Sequence, residues 1–147
     1  MNMKHHLHPD NLEKYSFMWS EVRLLLAAVA LLMGGVPAIF LILPGSPMTA
    51  FFLKLCWLIT GAATIYLAYR WHMAKHTLFG KKESMDTFAY AVLLVSGLNL
   101  GWTGVTGNNV GMSIWSGRFI FLVVGILYLW TAYHLWNRWS KSGRRLF

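Results

Sequence analysis

Apolar residues gather in four runs, at positions 22–43, 48–69, 88–105 and 114–136, each bounded by charge, proline or an Asn/Gly cluster. A hydrocarbon core about 30 Å thick is crossed by about 20 helical residues, and each run is near that length. No run shows the sustained period-two alternation of a membrane barrel strand. The pattern predicts an all-α polytopic membrane protein: one membrane domain over 1–147, with transmembrane helices at 21–43, 48–72, 86–106 and 114–137 packed as a four-helix bundle.

Ahead of the first run, the stretch "HPDNLEKYSFMW" reads as a short amphipathic interfacial helix over 10–20. Asp10 with Glu13 three residues on resembles a capping box. Leu12, Tyr15, Trp19 and Val22 follow helical spacing and would rest on the membrane surface. The N-terminal segment has no apolar core and carries Asp10 and Glu13, so a cleavable signal peptide is not expected. Pro37 is expected to kink the first membrane helix.

Composition agrees with the pattern. The chain has 147 residues, 56% hydrophobic and 12% charged, with mean hydropathy +0.47. That is too little charge to cover a soluble domain. The single cysteine, Cys56, excludes an internal disulfide or a CxxC redox centre.

Charge then orients the helices. Lys4, Lys14 and Arg23 precede or begin the first helix; Arg70, Lys75, Lys81 and Lys82 occupy the second loop; Arg138, Lys141, Arg144 and Arg145 follow the fourth helix. The positive-inside rule therefore places both termini in the cytoplasm, with the protein expected in a prokaryotic cytoplasmic membrane. All five acidic residues, Asp10, Glu13, Glu21, Glu83 and Asp86, fall on the same side in this reading. The net charge of +8 becomes a basic membrane face that attracts anionic lipid. A nucleic-acid partner is not expected, since no soluble basic domain exists to bind one.

Lys54 and Arg118 are the two cations left at the outer end, and no fixed anion accompanies them. Ser96, Asn99, Thr103 and Thr106 fall at i, i+3, i+7 and i+10, a polar strip on the third helix. Lys54, Arg118, Asn99 and Thr103 are thus candidates for an outward-facing site that binds anions or lipid headgroups. The competing reading has the cations snorkelling to outer headgroups and the strip serving interhelical hydrogen bonds.

Small residues mark candidate packing faces: Gly34 in the stripe Ala27/Ala30/Gly34, Gly61, the stripe Gly97/Gly101/Gly104, and Gly125. The second and fourth helices share a seven-residue spacing, Lys54–Gly61–Ala68–Tyr69–Arg70 against Arg118–Gly125–Ala132–Tyr133–His134, which hints at a parallel internal repeat.

His72 and His134 are weak candidates for axial ligands of a b-type haem, and His5, His6 and His8 a weak metal cluster; no cofactor or metal is otherwise expected. No catalytic grouping or nucleotide motif is readable, so an enzyme is not expected. Three classes of function follow. The first is a non-catalytic structural subunit of a homo-oligomer or larger membrane complex. The second is an anion-selective channel or carrier, and the third a haem-bearing redox subunit. The expected partners are membrane lipids and other membrane subunits.

Overall fold

A computed structural model describes residues 9–147; Lys4 and the histidines at 5, 6 and 8 lie outside them. Among the described residues the secondary structure is helical, with no strand beyond an isolated bridge between Leu78 and Lys81. The helices are α1 (Pro9–Leu32), α2 (Pro47–Met73), α3 (Ser84–Thr106), the short α4 (Val110–Ile114) and α5 (Arg118–Lys141), with a single 3-10 turn at Ala38–Leu41. Four of them, α1, α2, α3 and α5, are long and apolar enough to cross a membrane.

Local chemistry explains the boundaries. Ser46 caps α2, its Oγ accepting from the Thr49 N–H at 3.2 Å, and Pro47 stands in the first turn, where its missing N–H costs nothing. Asn109 caps α4 through Met112 N–H at 3.0 Å. At the end of α1 the Gly35 N–H reaches back to the Ala30 carbonyl at 2.8 Å and the Gly34 N–H to Leu31 at 3.1 Å. Those are the two bonds of a Schellman motif, and Gly34 takes the positive φ that it needs.

The start of the chain departs from the sequence expectation. No break separates residues 10–20 from the first membrane helix; they are one 24-residue helix that ends at Leu32, not at 43. Pro37 therefore kinks nothing. It lies after the helix has ended and precedes the 3-10 turn.

The spans pack in a ring. α2 lies on α3 at their glycines: a Cβ added to Gly61 would sit 2.7 Å from the Gly101 Cα. One added to Gly104 would meet the Leu58 backbone nitrogen at 3.0 Å and the Trp57 Cβ at 3.1 Å. α1 lies on α5, where Gly125 faces Leu32 and the Ala28 carbonyl, and Phe17 packs on Trp139 with ring centroids 5.3 Å apart.

The proposed repeat has a geometric counterpart. Glu13 of α1 pairs with Arg70 of α2 at 2.8 Å, and Asp86 of α3 pairs with His134 of α5 at 2.7 Å. Each hairpin thus ties an acid near the start of its first helix to the last turns of its second.

The interior is uneven. Toward the basic end, which carries Lys81, Lys82 and Arg138, Phe17, Leu24, Leu67, Tyr90, Leu93 and Leu135 form a dense, fully buried core. The C-terminal segment closes this end: the Phe79 N–H donates to the Leu146 carbonyl at 2.8 Å and Leu146 is buried. The opposite end, bounded by residues 33–46 and 107–117, is hollow.

Candidate functional site

The hollow half holds an open cavity of about 800 Å³. Its floor lies near the middle of the bundle, at Arg23, Ser96 and Tyr128; its roof is the two loops, at Pro37, Ile39, Met112 and Trp115. Its walls are mostly apolar. Small residues keep it open: Ala27 and Ala30 of α1 and Cys56 of α2 border it instead of closing on a neighbouring helix. At its lower edge α1 and α2 are joined, Trp19 Nε1 donating to Thr60 Oγ1 at 2.9 Å, and both residues line the space. Above that bond both helices line the space.

Arg23 dominates the floor. It is only 6% exposed. At 1.5 Å per residue it stands about 21 Å along α1 from Pro9, well inside the span. Its Nη1 donates to Ser96 Oγ and its Nη2 to the Leu93 carbonyl, both on α3. Ser96 Oγ in turn donates to the Leu93 carbonyl at 3.1 Å. The guanidinium crosses to α3 over Gly97, where an added Cβ would sit 2.8 Å from Nη2 and collide with the Thr64 hydroxyl. Gly97 thus makes room for a charged head, and Thr64 turns its hydroxyl to the Thr60 carbonyl at 2.7 Å.

Arg23 belongs to a polar face. Glu13, Ser16, Ser20 and Arg23, all buried, fall at i, i+3, i+7 and i+10 on α1. These are the offsets of the Ser96/Asn99/Thr103/Thr106 strip on α3. Glu21 is buried as well, but about 200° around the helix from Arg23, on the α5 side with Phe17 and Ala28. Its Oε1 has no hydrogen-bond partner, and neither do the hydroxyls of Ser20 and Thr131. A buried polar atom left unpaired costs about 1–3 kcal/mol.

The candidates read from sequence separate into two groups. Asn99 and Thr103 line the cavity. Asn99 also fixes its roof, Nδ2 donating to Asn109 Oδ1 at 2.9 Å and Oδ1 accepting from the Gly111 N–H at 3.2 Å. Thr103 donates to the Asn99 carbonyl at 2.8 Å. Lys54 and Arg118 are exposed and do not line this cavity. Arg118 borders a second hollow of about 530 Å³ beside Met33, Gly34 and Ser116.

Among the glycines, Gly61, Gly97, Gly101, Gly104 and Gly125 stand against neighbouring helices. Gly34 does not: nothing lies within 4 Å of an added Cβ, and its φ of +89° makes it a turn glycine. It differs from the other five because α1 has ended before it.

The histidines keep separate partners. His72 is exposed and lies edge-on to His76. His134 is bonded to Asp86 and stacked on Trp130 with centroids 5.2 Å apart. Among the described residues no three His, Cys, Asp or Glu side chains are grouped to hold a metal ion.

The sequence did not single out Arg23 and Glu21 as site residues, because at the start of a span expected over 21–43 they read as ordinary flanking charges. The signal was present in the spacing of Glu13, Ser16, Ser20 and Arg23, which matches the strip recognised on the third helix. No protein-family model matches this chain, and comparison with curated proteins and with solved structures finds no match either.

Proposed function

We propose that this is a membrane-embedded binding protein that holds a hydrophobic small molecule between its helices. The cavity carries the reading. At about 800 Å³ and with mostly apolar walls, it has the size and character of small-molecule sites, which run to about 1,000 Å³. A bundle that packed only for stability would close such a space, because interiors approach crystal-like density. The small-residue faces, which in the sequence favoured a structural subunit, are occupied within the chain by the Gly61–Gly101 and Gly125–Ala28 contacts. They leave less reason to invoke a partner helix.

Cys56 is a native probe, being the only cysteine of the chain and lining the cavity. A lipophilic maleimide is expected to label it, and Ala30→Trp, which fills the space, to slow labelling at least tenfold. Solvent extraction of gently purified protein should release a small molecule that the Ala30→Trp protein lacks. An unreactive Cys56, together with no difference between the two extracts, would remove the reading.

The proposed orientation has the basic end in the cytoplasm, so the cavity occupies the outer half of the membrane. In a Cys56→Ser background, Ser46→Cys should react with an impermeant reagent added outside intact cells, and Ser142→Cys only after lysis. The reverse pattern would turn the molecule over.

A further inference from the structure

We infer that the molecule held in the cavity is an amphiphile with one acidic head, a carboxylate or a phosphate monoester, and that Arg23 receives that head. The inference rests on the preceding reading that the cavity is a binding site, and it adds the chemistry of the occupant.

The first argument is the lack of a bonded counter-ion: Glu21 acts on Arg23 electrostatically but forms no ion pair or hydrogen bond with it. Arg23 is buried in the middle of the bundle, and no ion pair with a carboxylate is formed by it among the described residues. Both of its acceptors, Ser96 Oγ and the Leu93 carbonyl, are neutral, and its Nε–H has no acceptor. Guanidinium carries five N–H donors and stays charged at any physiological pH. A buried charge without a partner is strongly unfavourable, and an ionisable residue at such depth in a span is a functional feature by default. Snorkelling offers no relief: the side chain is turned inward onto α3 and only 6% exposed.

The second argument is shape. The guanidinium is held across the bundle by two bonds to α3, over a glycine, at the floor of the cavity. Two of its five N–H donors are engaged in this way, and those that remain suit the oxygens of a carboxylate or phosphate. Above it the walls turn aromatic and aliphatic, with Leu31, Trp57 and Phe121 facing the space where an apolar tail would extend. Glu21, the nearest carboxylate in sequence, starts about 200° around α1 from Arg23, its Oε1 has no hydrogen-bond partner, and it is not among the residues lining the cavity.

The test uses full-length protein in nanodiscs of zwitterionic phosphatidylcholine and reads protection of Cys56 from a thiol reagent. Four ten-carbon probes differ only at the head: decanoate, decyl phosphate, decanol and decyltrimethylammonium. The two acids should protect at concentrations at least tenfold lower than decanol, and the cation should not protect. Comparing decanoate with decyl phosphate then tells a fatty-acid-like head from a lipid phosphate. Arg23→Gln should bring the acids level with decanol and leave decanol unchanged, whereas Arg23→Lys keeps part of the preference and Lys54→Met all of it. Equal protection by acid and alcohol in the wild type overturns the assignment, as does an acid preference that survives Arg23→Gln. Protection by decanol alone would spare the binding reading and defeat the acidic head; protection by none of the four defeats both. If Arg23→Gln does not assemble, the comparison of heads in the wild type decides alone.

Discussion

Replacing Gly101 by leucine is expected to abolish stable folding. Gly61 and Gly101 bring the backbones of α2 and α3 into direct contact, with the Gly101 Cα only 2.7 Å from where a Gly61 Cβ would stand. The obstacle is backbone, which cannot swing aside as a flexible side chain does. Overpacking in a core costs about 1–3 kcal/mol where side chains can adjust. Here the helices must separate along their whole contact, including Gly97 on Thr64 and Gly104 on Leu58, so the loss should exceed about 3 kcal/mol. The control must face lipid. Leu93, on the same helix, cannot serve, since it is fully buried and its carbonyl holds Arg23. Val95, 68% exposed on the same helix, is the right control, and Val95→Ala should stay within about 0.5 kcal/mol. Thermal melting in mild detergent, followed by size-exclusion fluorescence, separates the two. If Gly101→Leu melts within a few degrees of wild type, the α2–α3 contact is not what holds the bundle.

Asp86→Ala should be the most damaging change at the basic end. The carboxylate is fully buried. Its Oδ2 accepts from Arg138 Nε at 2.9 Å and Nη2 at 2.7 Å, and its Oδ1 lies 2.7 Å from His134 Nε2. Through it α3 is bound to the last turns of α5. Deleting one partner of a buried pair costs about 3–5 kcal/mol, mostly because the other charge is left uncompensated. Arg138 is part-exposed and also reaches Glu83 at 3.1 Å, so the charge left behind is screened and the cost falls below that range, to about 2 kcal/mol. Asp86→Asn, which retains shape and part of the hydrogen bonding, should lose less. The double change Asp86→Ala with Arg138→Ala should cost clearly less than the sum of the single changes. Unfolding titrations in mixed micelles measure all four proteins. Strict additivity would show that the pair is not coupled.

Much of the fold was decided by local sequence. Four apolar runs of membrane length produce four long helices, because a buried or lipid-facing backbone must satisfy its own hydrogen bonds. Ser46–Pro47, Gly107 and Asn109 set helix ends through short-range chemistry that any neighbour would leave intact. The Gly97/Gly101/Gly104 spacing was legible as a packing face for the same reason: small residues on one side of a helix invite a close neighbour wherever that neighbour comes from.

What tertiary structure alone decided is where charge lies. Hydropathy assigns Glu13, Glu21 and Arg23 to the water side, since a charge beside lipid is costly. It cannot register that a facing helix supplies Ser96 and the Leu93 carbonyl to Arg23, or Arg70 to Glu13. Once those partners are in place, the polar start of α1 enters the bundle and the membrane helix expected to begin at 21 begins at Pro9. Lys54 and Arg118, isolated in sequence and therefore conspicuous, are turned outward. Arg23, hidden among ordinary flanking charges, becomes the cation at the floor of the cavity. Sequence sets the period of each helix and the sizes along its faces. Only the packing of one helix on another determines which polar face is buried and which space remains unfilled.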